Sequence, residues 1–371
     1  MGFIAWAKVA FVKAVLMKYD MDTPGGALLL DTFVKEYKKH DRPYREIHHI
    51  HKQGFSCSDW DALSLTDENC RRLLSTAQYY LGHPYNGRYS PWIDDKLTLK
   101  YMCHGTKADF LPKYYFQIDN SGSILYLMDC PEQLRGTGLQ ALCKLLQTEG
   151  DFAAKPYNSS GGAGFFKISC HDGEYTINGR PFSEEDFCAK ISDMKGYIFT
   201  EWLRPHPDLA KYCPNTINSI RYLVIKRNGK LISIDRFIRF GTKNSGFIDN
   251  AGAGGVFALP NQDGQFSGGF IGAIKEDSHI LFHPDSGVPL DGTIPLWDKL
   301  QEAAEIFSET FPQLSFMGFD FAVTDKNEIK IIEINSLSDS VIDQHDFSFL
   351  DGEAGEFFRE KSGEVKRRKQ A

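Results

Sequence analysis

Two acidic side chains near the C-terminal end of the chain face each other across a predicted β-hairpin. A turn centred between Lys326 and Asn327 places Asp320 directly opposite Glu333, and Asn335 shares their face. Facing carboxylates destabilise a sheet unless something compensates their charge, and Mg²⁺ takes oxygen ligands of this kind. The pair therefore predicts a magnesium site, and a solvated sheet edge is the alternative.

Apolar residues alternate with the acidic ones along both strands of this hairpin. The same register turns four side chains toward the opposite face, where a core would lie: Phe319, Phe321, Ile332 and Ile334. Such alternation is typical of a strand with one buried face. A three-residue turn would shift the register and weaken the argument for facing carboxylates.

A glycine-rich segment, residues 159–164, lies between two predicted strands, and Lys155 lies on the strand that leads into it. Glycines let the backbone approach a phosphate closely, and serine hydroxyls add donors. The segment lacks the motifs of a Walker A loop and of a dinucleotide-binding loop. A lysine beside such a loop suits an anionic ligand. An ordinary hairpin loop and a solvated surface lysine are the alternatives.

The elements that carry these residues divide the chain into a helical part and a mixed part. Residues 1–95 are predicted to be mostly helical, with one helix over 63–81. From Asp95 onward, short apolar runs alternate with turn residues, which indicates strands. A further helix is predicted over 297–311.

Two arginines lie on a second hairpin, whose turn is predicted at Asn228-Gly229. The pairing that follows from this turn brings Arg221 close to Arg239 without placing them directly opposite each other. Neighbouring arginines repel unless an anion such as a phosphate lies between them. For Arg236, a surface salt bridge is equally consistent with the sequence.

Composition excludes several classes of protein. The chain has 371 residues, 42% of them hydrophobic and 25% charged, which is typical of globular proteins with two or three domains. Its net charge of −7 excludes a general nucleic-acid partner. No apolar run is long enough for a membrane span. Eight cysteines without zinc-ligand spacing predict reduced thiols in a cytoplasmic protein. The basic residues 366–369 are predicted to belong to a solvated tail.

Taken in order, the motifs resemble those of the ATP-grasp superfamily from about residue 95 to 340. The matching motifs are Asp95-Lys96-Leu97, Ala154-Lys155-Pro156, the loop 159–164, Phe199-Thr200-Glu201-Trp202-Leu203, Gly318-Phe319-Asp320 and Ile332-Glu333-Ile334-Asn335. Within the superfamily, the segment from Glu201 to Gly255 is most similar to the sugar-transfer-associated ATP-grasp group.

The resemblance implies an α+β fold in which two lobes grip ATP, preceded by a helical region. The implied division is a helical region 1–95, a first lobe 96–200 with the glycine-rich loop, a second lobe 201–350 with the metal site, and a tail 351–371.

The resemblance also implies roles for individual residues. Two lysines would hold the phosphates of ATP: Lys96 and Lys155. The loop would close over the β- and γ-phosphates through Ser160, Gly161 and Gly162. A hinge strand would contact adenine through Glu201, Trp202 and Leu203, although for Trp202 core packing is the alternative. Asp208 would reach the ribose. Three oxygen-bearing side chains would bind Mg²⁺: Asp320, Glu333 and Asn335.

One position departs from the pattern of the superfamily. Amino-acid ligases of this kind often carry an arginine two residues before the first metal-binding acid, where this chain has Gly318. Another arginine must then stabilise the tetrahedral intermediate, and Arg221 and Arg239 are the candidates for that catalytic role.

The function that the resemblance implies is an ADP-forming ligase that uses ATP and Mg²⁺. It would join a carboxylate to an amine or a hydroxyl through an acyl phosphate, in a setting that the group's name connects with cell-surface saccharides and polysaccharide biosynthesis. Its substrates would be small molecules or saccharides. Two alternatives stay open: a phosphotransferase acting on a sugar or small alcohol, and a non-catalytic binding module of polysaccharide assembly.

Overall fold

The computed structural model describes residues 24–39, 42–158, 162–272, 274, 278–338, 344 and 348–368. These residues form a helical N-terminal region, two antiparallel sheets of seven strands each, and a C-terminal helix. The predicted α+β class, with a mainly helical region at the N-terminus, is confirmed.

The helices before the first strand are α1 (Pro24–Lys39), α2 (Tyr44–Gln53), α3 (Cys57–Ala62), α4 (Thr76–Gly82), α5 (Pro91–Asp94) and α6 (Lys96–Cys103). The single helix predicted over 63–81 is wrong, because α4 begins only after Ser75. The Ser75 side chain accepts a hydrogen bond from the Gln78 N–H (3.2 Å), and the Gln78 side chain accepts one from the Ser75 N–H (2.9 Å). This reciprocal capping box starts the helix at that point.

The first sheet contains β1 (Tyr114–Ile118), β2 (Ile124–Tyr126), β3 (Asp151–Pro156), β4 (Phe166–His171), β5 (Glu174–Ile177), β6 (Arg180–Phe182) and β7 (Tyr197–Glu201). Its strand order is β2-β1-β7-β3-β4-β5-β6. Helices α7 (Leu139–Glu149) and α8 (Glu184–Ser192) contribute to its core. Leu146 and Phe187 of these helices are buried with Phe152 and Ile168 of the sheet.

The second sheet contains β8 (Ile220–Arg227), β9 (Lys230–Phe240), β10 (Val256–Ala258), β12 (Gly269–Ile271), β13 (His279–Ile280), β15 (Phe316–Val323) and β16 (Ile329–Asn335). Its strand order is β13-β12-β10-β9-β8-β15-β16. A separate two-stranded sheet joins β11 (Gln265–Ser267) to β14 (Asp291–Thr293), while α9 (Pro207–Ala210) and α10 (Trp297–Thr310) complete this part of the chain.

The two faces of the second sheet have different surroundings. Leu300 and Phe307 of α10 pack with Phe319 on one face. On the other face, Leu223 and Ile225 pack at one end of the sheet against apolar residues of the N-terminal region and the C-terminal helix. The remaining end of that face carries charged side chains, and it is the part of the sheet that forms the site described below.

The C-terminal residues differ from the predicted tail over 351–371. A helix, α11 (Gly352–Arg368), occupies most of this range. Phe357 and Phe358 are buried in the same apolar cluster as Ile225 of the second sheet. Burial of these two rings explains why the segment is ordered as a helix on the sheet.

The structure also bears on the predictions about thiols and membrane spans. All eight cysteines are free, and seven of them are buried. None of the helices in the described part of the chain combines the length and the apolar character that a bilayer crossing requires.

Candidate functional site

A cavity lies between the two seven-stranded sheets, beside β7. Nine of the predicted site residues line it: Lys96, Lys155, Gly162, Glu201, Trp202, Leu203, Arg239, Asp320 and Glu333. These residues come from an N-terminal helix, from both sheets and from the glycine-rich segment, so the fold brings together positions that are far apart in sequence.

The acidic pair lies on adjacent strands of the second sheet. Asp320 of β15 pairs with Glu333 of β16, as the hairpin pattern predicts. The turn itself differs from the prediction, because Val323 pairs with Ile329 and residues 324–328 form the connection. A β-bulge between Asp320 and Phe321 shifts the register by one residue. From Asp320 back to Gly318, the strands therefore pair as predicted.

The same bulge changes the direction of one apolar side chain. Phe321 pairs with Ile331, which leaves Ile332 without a partner in the ladder, and the Ile332 side chain lines the cavity. The prediction that Ile332 belongs to the core is therefore wrong, because one inserted residue reverses the face on which a side chain lies. Phe319 and Ile334 are buried as predicted.

Two arginines hold the carboxylate of Asp320. Arg221 Nε donates to Asp320 Oδ1 at 2.6 Å and Nη2 donates to Oδ2 at 3.2 Å. Arg239 Nη2 lies 2.7 Å from Asp320 Oδ1. Burial by itself would raise the pKa of Asp320, but the two guanidinium charges outweigh burial and hold that pKa well below its ordinary value. Asp320 is therefore an ionised, almost fully buried carboxylate.

A bulge in β8 and β9 explains why both arginines reach the same carboxylate. Val224 pairs with Ser233, whereas Leu223 pairs with Asp235. Beyond this bulge Arg221 pairs with Phe237, so these two side chains lie on the same face of the sheet. Arg239 follows Phe237 by two residues on β9 and therefore shares that face. Arg236 lies on the other face.

Arg236 forms no salt bridge with the acidic residues that the structure describes, in contrast to the surface salt bridge considered from the sequence. Its Nε donates to the carbonyl oxygens of Pro260 and Asn261, each at 2.9 Å. It therefore has no role at the cavity.

Two buried lysines face the acidic pair. Lys96 Nζ lies 3.2 Å from Glu333 Oε2, and Lys96 follows Asp95, whose side chain caps α6. Burial, reinforced by the charge of Lys96, lowers the pKa of Lys155 to about 8, although Glu333 acts in the opposite direction. Two ammonium groups enclosed together favour a ligand that brings further negative charge.

The end of β7 and the residues that follow it contribute both charged and aromatic side chains. Glu201 Oε1 lies 3.3 Å from Lys326 Nζ, so Glu201 joins the end of β7 to the connection between β15 and β16. The Trp202 ring lies 6.0 Å from that of Phe165 and 6.1 Å from that of Phe247. Lys167 Nζ lies 4.9 Å from the centre of the Trp202 ring. Trp202 therefore lines the cavity among other aromatic rings outside the large buried clusters.

The glycine-rich segment is described only from Gly162 onward, so the predictions for Ser160 and Gly161 lie outside the described residues. Gly162 has a φ of +77°, and a Cβ atom there would lie 3.1 Å from two side-chain carbons of Ile248. Glycine is thus required both by the backbone and by the close approach of the segment that carries Ile248.

Three of the predicted residues that the structure describes lie outside the lining of the cavity: Asp208, Asn335 and Arg221, which contacts Asp320 from β8. Asp208 is exposed on α9, where its N–H donates to His206 Nδ1 at 3.2 Å. Asn335 pairs with Gly318 at the end of β16, and its Nδ2 lies 3.5 Å from Glu333 Oε1. Asn335 is therefore adjacent to the acidic pair, whereas Asp208 is not brought to it.

Several site residues were missed in the sequence. The Ser219 N–H donates to Asp249 Oδ2 at 2.5 Å, and Ser219 Oγ accepts from Arg239 Nε at 3.0 Å. Ser338 Oγ accepts a hydrogen bond from Arg221 Nη1. Ser219 and Asp249 fall within the segment from Glu201 to Gly255 that carries the resemblance, and this was the available signal. No spacing in the sequence indicates Ser338.

The donor set beside the lysines suits a magnesium ion. Asp320, Glu333 and Asn335 offer two carboxylates and an amide oxygen on neighbouring strands, and hard oxygen donors are those that Mg²⁺ prefers. The chemistry of these three side chains therefore fits the metal that the sequence predicts.

Comparison with known proteins identifies a family whose model matches most of the chain. The model of the family described as "Sugar-transfer associated ATP-grasp" matches residues 75–345. A search among curated proteins finds no match.

Solved structures with a similar fold include D-alanyl-alanine synthetase A from Vibrio cholerae, at 13% identity and a TM-score of 0.41, with 76% of this chain and 66% of that chain covered. They also include D-alanine–D-alanine ligase from Bacillus anthracis, at 11% identity and a TM-score of 0.38, with 75% and 69% covered. A third is L-amino acid ligase from Bacillus licheniformis, at 9% identity and a TM-score of 0.35, with 67% and 42% covered. The chain spans less than two thirds of the length of the first and third of these proteins.

Proposed function

The chain belongs to the sugar-transfer associated ATP-grasp family, and from this membership we propose that it is an ATP- and magnesium-dependent ligase. It would join a carboxylate to an amine or a hydroxyl and release ADP and phosphate. The observation that carries this proposal is the facing pair Asp320 and Glu333, which line one cavity together with two buried lysines and with Arg239.

The proposed nucleotide site follows from the charges in the cavity. Lys96 and Lys155 would neutralise the phosphates of ATP, and the segment that contains Ser160, Gly161 and Gly162 would close over them. Ile332 is positioned to give the adenine ring an apolar contact beside the hinge residues Glu201, Trp202 and Leu203. Mg²⁺, held by Asp320, Glu333 and Asn335, would supply positive charge to the transferring phosphoryl group.

The proposed chemistry proceeds in two transfers. A carboxylate oxygen of the substrate attacks the γ-phosphorus of ATP, and the bond from that phosphorus to the ADP oxygen breaks, which gives an acyl phosphate. The amine or hydroxyl then attacks the acyl carbon, phosphate leaves, and the nucleophile loses its proton. Arg221 and Arg239 would stabilise the oxyanion of the tetrahedral intermediate, the role that a residue at position 318 would otherwise supply.

The saccharide context is supported by the name of the family, which associates it with sugar transfer. We propose that the ligase modifies a saccharide destined for the cell surface and that it works in the cytoplasm, where ATP is available. Free buried thiols are consistent with a reducing compartment.

The experiment that tests this function measures nucleotide products with the purified full-length chain, ATP, Mg²⁺ and panels of carboxylates and amines. We expect ADP and inorganic phosphate to be released only when an acceptable pair of substrates is present. Release of AMP and pyrophosphate would contradict the proposal. A stable phosphoester without inorganic phosphate would identify the phosphotransferase instead.

Two variants connect the activity to the site. Asp320→Asn is expected to lower the rate of ADP release by about 10²–10³-fold, because it removes a negative charge from the metal site. Glu328→Gln is the matched control, since Glu328 is exposed in the connection of the same hairpin. Asp320→Asn with normal activity would contradict the metal role. Cellular function that stays intact although this variant has lost its ADP release would favour the non-catalytic alternative.

A further inference from the structure

A row of phenylalanine rings continues the proposed site across the second sheet. Side chains that pair across adjacent strands share a face, and here Arg221 pairs with Phe237, Arg239 with Phe257, and Phe257 with Phe270. The ring centres of Phe237 and Phe257 are 6.1 Å apart, and those of Phe257 and Phe270 are 5.6 Å apart. This aromatic row (Phe237, Phe257 and Phe270) begins at the two arginines and crosses β9, β10 and β12.

The aromatic row lies outside the core. Its three rings are half-buried, and none belongs to a buried apolar cluster among the residues that the structure describes. Residues on the opposite face of the same strands, such as Ile238 and Val256, are fully buried in the core. An antiparallel sheet with one covered face usually carries polar side chains on the other. Adjacent large rings in that place indicate a contact surface for a ligand.

The arginines at the start of the row still have donors to offer. A guanidinium group carries five N–H donors. Arg221 uses three of them on Asp320 and Ser338, and Arg239 uses two on Asp320 and Ser219, counting partners among the described residues. The donors that remain fit a second carboxylate.

The sheet face argues against a peptide as the body of the ligand. The backbone groups of β9 and β10 are used in ladders with neighbouring strands, so an extended peptide would find no main-chain partners there. A saturated ring can pack its C–H bonds against aromatic rings such as these. Its hydroxyls would bond to polar groups near the row: Asn250 lines the cavity together with Arg239, and His279 pairs with Phe270.

We propose that the carboxylate substrate is an acidic saccharide whose carboxylate binds Arg221 and Arg239 and whose sugar ring packs on the aromatic row. This inference rests on the proposed function, because it assigns the substrate of that same ligase site. It goes further by naming the surface that selects a ring-shaped acid over other carboxylates.

The test measures binding to the full-length chain by titration calorimetry, with D-glucuronate and D-galacturonate as probes and ADP with Mg²⁺ as a separate ligand. We expect at least one hexuronate to bind the wild-type chain and its dissociation constant to rise at least tenfold in Phe257→Ala and in Phe270→Ala. Phe282→Ala is the matched control, because Phe282 is an exposed ring that is not in the row. Unchanged ADP affinity shows that each variant is folded.

The outcomes separate this inference from the function on which it rests. It is overturned if neither hexuronate binds while ADP does, if both row variants bind the hexuronate as the wild type does, or if acetate or L-phenylalanine binds as tightly as the hexuronate. A wild-type chain that does not bind ADP with Mg²⁺ would instead contradict the proposed function.

Discussion

Asp320 connects the two arginines to the proposed metal site. In the structure its carboxylate is neutralised by Arg221 and Arg239, and Lys96 neutralises Glu333. A magnesium ion that arrived alone would meet cations on every side, whereas an ion that brings phosphates also brings the negative charge these cations require. The arrangement therefore favours binding of metal and nucleotide together, in agreement with the proposed ligase.

Lys155 provides a pH-dependent test of the proposed phosphate site. Its pKa of about 8 in the free chain lies below that of an ordinary lysine because of burial and the neighbouring Lys96. Bound phosphates favour the charged ammonium and would raise this pKa, so ADP binding takes up a proton near and above pH 8. We therefore expect the affinity for ADP to be high near pH 7, where Lys155 is charged and the ADP phosphates are ionised, and to fall by up to about tenfold per unit above about pH 8. Calorimetry in buffers of different ionisation enthalpy measures the number of protons taken up when ADP binds.

The control for this prediction is Lys155→Arg. An arginine stays charged throughout this range, so both the proton uptake and the decrease in affinity should disappear while binding at neutral pH remains. An ADP affinity of the wild-type chain that does not change between about pH 7 and about pH 9 would show that Lys155 is not part of the phosphate site.

At the level of elements, β15 needs a glycine at 318 because the chain passes over it after β16. A Cβ atom on Gly318 would lie 2.9 Å from both Cβ and Oγ of Ser338. Ser338 in turn accepts hydrogen bonds from Arg221 and, through its carbonyl, from Tyr79. Position 318 therefore has no room for an arginine, and the neighbouring strand β8 supplies one instead.

The crowding at this crossing predicts a coupled pair of substitutions. Gly318→Ala should destabilise the chain by about 1–3 kcal/mol, because the added methyl group displaces Ser338. Ser338→Gly removes the atoms that the methyl group meets, so the double variant should recover part of this loss. Urea unfolding of both single variants and the double variant measures the coupling, and strictly additive effects would show that the crossing does not require glycine.

The same strands show what a sequence can predict about a sheet. The pairing of Asp320 with Glu333 follows from the alternation of polar and apolar residues, and it holds although the connection over 324–328 is not the predicted turn. The position of Ile332 and the shared face of the two arginines could not be predicted, because each depends on a bulge. A bulge changes the register by one residue without a distinctive residue type to mark it.

At the level of the whole molecule, the helical N-terminal region supports the strand that carries Asp320. Asn86 Nδ2 donates to the Phe316 carbonyl at 2.7 Å, and Asn86 Oδ1 accepts from the N–H groups of Ser315 (2.8 Å) and Phe316 (2.9 Å). Asp94 accepts from the N–H (2.8 Å) and the hydroxyl (2.6 Å) of Ser336, which follows β16. These contacts are long-range, so the division at residue 95 that the sequence predicts does not separate the helices from the site.

We therefore expect the N-terminal region and the second sheet to unfold as one unit. Asn86→Ala would leave three backbone groups at the start of β15, those of Ser315 and Phe316, without their partner. It should lower the free energy of unfolding by about 1–3 kcal/mol or more. Gln313→Ala is the control, because Gln313 is exposed just before the same strand. In urea unfolding of Asn86→Ala, the loss of helix and the loss of ADP binding should have the same midpoint, and this midpoint should lie at a lower urea concentration than in the wild-type chain. Two separated transitions, with ADP binding surviving the first, would mean that the helical region is an independent domain.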